Sequence, residues 1–439
     1  MATTLKLNKG TPVNRLDEVY RSYQTRCIEH LVSRVEPSGY ISASNEYKHY
    51  GAHWFRDSSF VAISLLEFAG SRGADREHKE TALAEATRVI DRNVEEIDKL
   101  TGAIRRAVET ALDNEDFFKL SNQIYSRFGK EGMFAEDTYQ LEVRRSWLMQ
   151  HDSLPLLLLS LEKKADSFGL APNDREFLNR NARLFADYLG KIYLTECSNI
   201  WEIGSDMLHS YDVASVYAAF RAMEHMCRLG EIDSMEVNEV RERESGLFPG
   251  GPLGFLKKYF VKDGVLYSSK RRFEDHPAEE MGVDASAVYV FTDLQLRNGE
   301  LGAGVEENTI LKVERDLFGD RKMPWRYLGD RYFGGRPWVL LAEKFAAYYI
   351  EKGSTEKAIE IQNYVIEKFG ERLPEQDNDF AQFPGGDLDG ELARNGGKPI
   401  GELAWSYAEA VRALMKMLDS DGAAETSRLL FRQAVQIRG

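Results

Sequence analysis

The chain has 439 residues, of which 43% are hydrophobic and 11% aromatic, enough to bury a large core. A formal net charge of −14 argues against a nucleic-acid or anionic-membrane partner and suits a large neutral or cationic substrate better. Cys27, Cys197 and Cys227 are too few and too widely spaced for a disulfide framework, the N-terminus lacks the apolar run of a signal peptide, and no segment of about 18 apolar residues suggests a membrane span, so a soluble, cytoplasmic protein is expected.

After a flexible tail over residues 1–13, two kinds of helix alternate along the chain. An amphipathic helix is predicted over Asn14–Val35, with Leu16, Val19, Tyr20 and Tyr23 at helical spacing. The stretch SSFVAISLLEFAG follows Asp57 and is apolar nearly all round. An amphipathic segment near His78–Leu100 precedes the apolar SLPLLLLSLE, which follows Asp152 and tolerates Pro155 in its first turn. The pattern repeats with Asn173–Tyr193 and YDVASVYAAFRAM from Tyr211, then Asp233–Glu244 and DASAVYVFTDL from Asp284. It continues with Glu306–Phe318 and PWVLLAEKFAAYYI from Pro337, then Ser354–Phe369, capped by Ser354, and LAWSYAEAVRALMKML from Leu403. A short helix near Ala423–Gln436 covers the end.

A helix without a polar face is normally buried on all sides. Six such helices, each preceded by an amphipathic one, pack most economically as an inner ring inside an outer ring: an all-α (α/α)6 barrel. An open α-solenoid would show the same alternation, although no repeated consensus is present. No linker divides the chain, so residues 1–439 are read as one domain. The pieces LFPGGPLGF and GGDLDGELARNGGKP read as long surface loops.

Polar and aromatic motifs cluster just before the apolar helices: YGAHWFRD, WLMQHD, NIWE, PWRYLGDRYFGGRPW and LPEQDND. In a double ring every outer-to-inner loop emerges at one end, so these motifs converge at one mouth. Rings beside carboxylates and guanidinium groups suit carbohydrate, whose C–H faces stack on aromatics while its hydroxyls meet polar groups. Glu202 follows Trp201, whose apolar wall favours a protonated carboxyl of the kind that serves as a general acid. Each motif also has a plainer reading. Arg56 and Asp57 fit a surface ion pair, and Trp54, Trp338 and Trp405 fit ordinary core residues. Arg326 fits a structural partner for Asp330, and Glu375 fits a solvated acid beside Asp377 and Asp379. His49, His53 and His151 lack zinc-ligand spacing, and no nucleotide-binding loop or GxSxG is present, so no metal or cofactor is expected.

Taken in order, the motifs resemble glycoside hydrolase family 15, the glucoamylase-type enzymes, from about Tyr50 to Tyr407. HWFRDSS is similar to the family's W-x-R-D segment, which implies that Arg56 and Asp57 hold a terminal glucose, beside Trp54. WLMQHDS is similar to the Q-x-D segment and implies Gln150 and Asp152, with Trp147 as a nearby ring. NIWE implies Glu202 as general acid next to Trp201. RYLGDRYFGGRPW implies sugar contacts from Arg326 and Tyr332, with Trp338 lining the site. LPEQ implies Glu375 as general base, and LAWSYAE implies Trp405.

The resemblance implies an inverting exo-acting α-glucosidase on oligosaccharides or α-glucans. The alternatives are a trehalase, an α-1,6-glucan hydrolase, or a non-catalytic glucan-binding relative; a disaccharide phosphorylase or a polysaccharide lyase on the same fold is a further rival. Two departures bear on linkage. Ile203 stands where the family usually has a second acid, and Asn199 where glucoamylases often have Asp. For the mechanism, Glu202 beside Trp201 suits the acid and Glu375, in a more polar loop, suits the base.

Overall fold

In the computed structural model the described residues are 13–45, 48–72, 75–110, 127–128, 150–203, 207–270, 282–297, 299–318, 321–377 and 400–419. The expected tail up to residue 12, the loop over 385–399 and the helix near 423–436 lie outside them, as do Trp147 and Asp379.

The apolar segments form α2 (Phe55–Gly70), α4 (Ser153–Phe168), α6 (Ser210–Leu229), α9 (Ala287–Thr292), α11 (Val339–Glu351) and α13 (Ala404–Asp419). Their residues are buried on nearly every side, as Leu154, Leu156, Leu157 and Leu158 of α4 illustrate. Each such side chain stabilises the fold by about 1.5–3 kcal/mol relative to exposure. The amphipathic segments form α1 (Val13–Arg34), α3 (Arg76–Glu109), α5 (Pro172–Ile192), α7 (Val237–Ser245), α10 (Val305–Val313) and α12 (Thr355–Phe369).

Each inner helix packs on the next, and α13 packs back on α2, so the inner ring closes. The closed (α/α)6 barrel is the expected architecture, and the open solenoid is excluded. At the closure Ser64 Oγ of α2 donates to the Ala408 carbonyl of α13 at 3.0 Å. Toward the C-terminal ends of the inner helices Arg412 pairs with Glu67 (2.9 Å) and with Asp293, and Lys344 also pairs with Asp293. These buried ion pairs tie α2, α11 and α13 to the residue that ends α9. The network reaches upward through Glu409, whose Oε1 accepts from Trp405 Nε1 at 3.0 Å. Strands among the described residues are two-residue antiparallel pairs. β1 (His53–Trp54) pairs with β2 (Arg127–Phe128), β3 (Leu208–His209) with β6 (Ser269–Lys270), and β4 (Val261–Lys262) with β5 (Val265–Leu266).

Several local expectations are corrected. LFPGGPLGF does not stay a loop: α8 (Gly251–Tyr259) starts within it, with Pro252 in the first turn, where its missing N–H costs nothing, and Phe255 and Leu256 buried. Helix α3 extends to Glu109, well past the predicted end, from an N-cap in which Asp75 accepts the His78 N–H at 3.1 Å. Helix α9 has only six residues, and α10 passes into a π-helical turn over Glu314–Phe318. Ser354 precedes α12, but its side chain makes no capping hydrogen bond. Its ψ of 53° departs from the extended conformation in which an N-cap oxygen meets the N2 or N3 N–H.

Glu343 on α11 is fully buried and accepts a hydrogen bond from Gln362 Nε2 of α12 at 3.2 Å. Burial pushes its carboxyl up to about 8, with Gln362 opposing and Glu409 adding to the shift. The folded chain therefore holds this proton over a range in which the unfolded chain has released it. Its contribution to stability is present below the ordinary glutamate range and is lost as pH rises toward 8. Glu343→Gln is expected to raise the thermal midpoint more at pH 8 than at pH 5. Equal shifts at both pH values would show that Glu343 does not titrate in this way.

Candidate active site

The inner helices run parallel, so their N-terminal ends share one end of the barrel. Arg56 and Asp57 occupy the first turn of α2, and Gln150 and Asp152 lead into α4. Trp201 and Glu202 lie on the loop before α6, and Asp212 lies in the first turn of that helix. Asp284 precedes α9, while Arg326, Tyr332 and Trp338 precede α11. Glu375 and Trp405 belong to the approach to α13 and its first turn. Carboxylates near helix N-termini are favoured by the positive end of the helix dipole.

Two arginines organise these groups. Arg56 is buried, so the surface ion pair is excluded for it. Its Nη1 donates to Gln150 Oε1 at 2.7 Å and lies 3.9 Å from Asp152, and its Nη2 donates to Glu202 Oε1 at 3.1 Å. The guanidinium stands 5.5 Å from the centre of the Trp405 ring. Arg326 makes a two-pronged pair with Asp330, 2.8 Å at each contact. It also lies 4.4 Å from the Trp338 ring, 4.9 Å from Tyr332 and 5.8 Å from Trp201. The structural partnership with Asp330 therefore exists, inside an aromatic cluster. Trp201 approaches Trp338 at 5.8 Å and Trp405 at 6.3 Å, and its Nε1 donates to both oxygens of Asp284 at 2.8 and 2.9 Å.

The two candidate catalytic carboxyls differ in setting, and not in the expected way. Glu375 is only 3% exposed. Its segment is held as extended chain between two others: Glu375 N–H donates to Ile400 O at 2.9 Å, and Val339 N–H donates to Glu375 O at 3.1 Å. Asp377 N–H donates to Pro337 O at 2.9 Å, and its carboxyl pairs with Lys368 at 2.5 Å. A solvated acid loop is thus replaced by a fixed, buried one. Glu202, expected to be desolvated by Trp201, has a side chain 30% exposed. It takes a left-handed backbone conformation, φ 64°, which costs an L-residue about 1–2 kcal/mol and is retained where surrounding structure enforces it.

Burial dominates the electrostatics. It pushes Glu375 up to about 8, with Asp57 and Glu202 adding to the shift; the Tyr50 hydrogen bond and Arg326 oppose it. Burial pushes Asp57 up to about 6 despite Arg56. Asp284 also rises to about 6, its Trp201 hydrogen bonds opposing. Asp152 is raised by burial against Arg56, and Asp212 well raised by burial and by Asp152. A cluster this rich in acids holds protons near neutral pH.

Trp54 caps the start of α2 and packs under Arg127 of β2, 4.8 Å from the guanidinium. Among the described residues it makes no ring contact with Trp201, Trp338 or Trp405. Tyr332 stacks near Trp338 at 6.0 Å. Trp147 lies outside the described residues.

Three residues not singled out in the sequence join the site. Tyr50, in a 3-10 turn over Lys48–Gly51, donates to Glu375 Oε1 at 2.7 Å and meets the Tyr332 hydroxyl at 2.5 Å. Asp284 fixes Trp201. Asp212 is buried beside Asp152, whose negative charge adds to its own at this end of the barrel, and the His151 backbone N–H faces Asp212. The available signal was an acid at the start of an apolar helix, the placement that Asp57 and Asp152 share.

No family model and no curated protein matches the chain. Among solved structures it is similar to a glycosidase in complex with glucose, at 20% identity and a TM-score of 0.68, covering 92% of this chain and 97% of that one. It is similar to the glucoamylase of Saccharomycopsis fibuligera, at 12% identity, TM-score 0.61 and 98% coverage of both chains. It is also similar to a glycoside hydrolase family 15 glucoamylase from Hypocrea jecorina, at 17% identity and TM-score 0.55, covering 91% and 72%. The chain shares their fold.

The Tyr50 hydroxyl stabilises the ionised form of Glu375. Tyr50→Phe removes that donor, and the carboxyl is expected to titrate higher still, by about one pH unit for a lost hydrogen bond to a charged group. Side-chain carbon chemical shifts followed against pH would measure this. A Glu375 titration unchanged in the variant would show that the tyrosine does not tune it.

Proposed function

We propose that this chain is a glycoside hydrolase: an inverting, exo-acting α-glucosidase of the glucoamylase type that releases β-D-glucose from the non-reducing ends of oligo- or polysaccharides. The observation that carries this reading is the presence, in one aromatic-lined site, of a buried carboxyl, Glu375, hydrogen-bonded by Tyr50, and a partly exposed one, Glu202, hydrogen-bonded by Arg56. The shared fold with a glucose-bound glycosidase and two glucoamylases supports it.

An inverting glycosidase needs one carboxyl to protonate the leaving oxygen and another to activate water on the opposite face of the sugar. In an exo-acting site the leaving sugar points toward solvent. The partly exposed Glu202, hydrogen-bonded by Arg56, serves that oxygen as the acid. Glu375 serves as the base, with the Tyr50 and Tyr332 hydroxyls beside it to orient water. Arg56 and Asp57 bind the terminal glucose hydroxyls through charge-assisted hydrogen bonds. Trp201, Trp338 and Trp405 supply apolar walls for its C–H faces. Ile203 packs partly against the core and offers no carboxyl to the leaving sugar, so maltose, isomaltose and trehalose must be compared for linkage.

The reverse assignment has one observation in its favour. Burial favours the protonated form of Glu375, which is the form a general acid needs.

Two measurements test the proposal. Anomer-resolved NMR on an α-glucoside is expected to show β-glucose first, and early accumulation of α-glucose would sink the inverting mechanism. The second separates acid from base, because fluoride leaves with little help from a proton. Glu202→Gln is expected to lose about 10²–10⁴-fold on oligosaccharides but to keep much of the activity on α-glucosyl fluoride. Glu375→Gln is expected to depress both. The opposite pattern would exchange the two roles.

A further inference from the structure

The turn that carries Glu202 is organised by one buried side chain. Asn199 is 3% exposed. Its Oδ1 accepts the backbone N–H of Trp201 at 2.9 Å and that of Ile203 at 3.2 Å. Its own carbonyl accepts the Glu202 N–H at 2.8 Å, and its N–H donates to Ile203 O at 3.0 Å. All three N–H groups from Trp201 to Ile203 therefore end on Asn199. The base of the loop is closed by Cys197 N–H donating to Met207 O at 3.0 Å, and Trp201 is clamped from the side by Asp284.

Glu202 is the residue of this turn with positive φ, and its carboxyl reaches Arg56. A left-handed glutamate reverts to an ordinary conformation once the surrounding bonds stop enforcing it. The two bonds to Oδ1 span Glu202 on both sides, so their loss frees the peptide units that aim the carboxyl.

We propose that Asn199 is a positioning residue for the reaction: its side-chain oxygen locks the Trp201–Ile203 turn and so fixes the Glu202 carboxyl against the leaving-group oxygen. This rests on the reading of Glu202 as general acid. An amide oxygen has two lone pairs and suits two N–H donors. A carboxylate at this position offers the same acceptors, whereas alanine offers none.

The test uses the full-length protein with Asn199→Ala and Asn199→Asp, assayed on maltose and on α-glucosyl fluoride. Asn199→Ala is expected to lose kcat on maltose on the order of 10²-fold, the effect of displacing a catalytic group by about 1 Å. Its loss on the fluoride is expected to stay below about 10-fold, since that leaving group needs little proton transfer. Asn199→Asp is expected to recover most of the maltose rate. A merely structural role lowers both rates together and leaves their ratio at the wild-type value. Equal losses on the two substrates, or no loss on maltose, would therefore overturn the inference, provided Glu202→Gln still discriminates between them. If Glu202→Gln fails to discriminate, the acid assignment falls and the inference falls with it. Circular dichroism and thermal midpoints on both variants keep a folding defect distinct from a misplaced carboxyl.

Discussion

Six helices without a polar face must bury against one another, and that requirement governs the molecule. Residues such as Leu156 to Leu158, Val339 to Leu341 and Ala408 to Val411 leave no stripe for water. A closed ring gives each inner helix two inner neighbours and an outer cover. The connections then force the inner helices to run parallel, so their N-terminal ends open on the same side. The positive ends of their dipoles and the first-turn acids Asp57 and Asp212 are gathered there by the same topology. The site is a by-product of how the apolar helices satisfy burial.

Within it, charge and burial oppose each other. Asp57, Asp152, Asp212, Glu202 and Glu375 outnumber Arg56 and Arg326, and Asp330 already engages Arg326. Buried carboxyls in such company retain protons, as the upward shifts of Asp57 and Glu375 express. The two arginines hold the geometry while tyrosine and tryptophan donors satisfy particular oxygens. Glu202 alone among the five acids has substantial access to solvent, which sets it apart in chemistry as well as in position.

The alternation of apolar and amphipathic helices was legible because it depends on local periodicity. So were the motifs before the inner helices, because they are short and ordered. The setting of Glu375 was not legible. LPEQDND reads as polar, but the burial of Glu375 and Asp377 comes from the backbones of Pro337–Val339 and Ile400, which hydrogen-bond to them from elsewhere in the chain. Tyr50 and Asp284 escaped notice for the same reason, their partners Glu375 and Trp201 lying 325 and 83 residues away. Helix α8 was hidden by its glycines and proline, which serve a helix start as readily as a turn. The length of α9 was overestimated because apolar residues beyond its ends are buried without being helical.

The closure of α13 onto α2 has a consequence for biosynthesis. Ser64 and Ala408 are 344 residues apart, and Arg412 reaches Glu67 across 345. Contacts of such separation form late, because the intervening chain must be ordered first. A polypeptide emerging from the ribosome can pair α2 with α3 and α4 early, but it has no sixth inner helix until Ala404–Asp419 has emerged. Trp405 and the segment that fixes Glu375 arrive together with that helix. Until then the apolar flanks of α2 and α11 that α13 will cover stand open, as in an aggregation-prone folding intermediate. The candidate site and the cover over those apolar flanks are therefore completed in the same folding step.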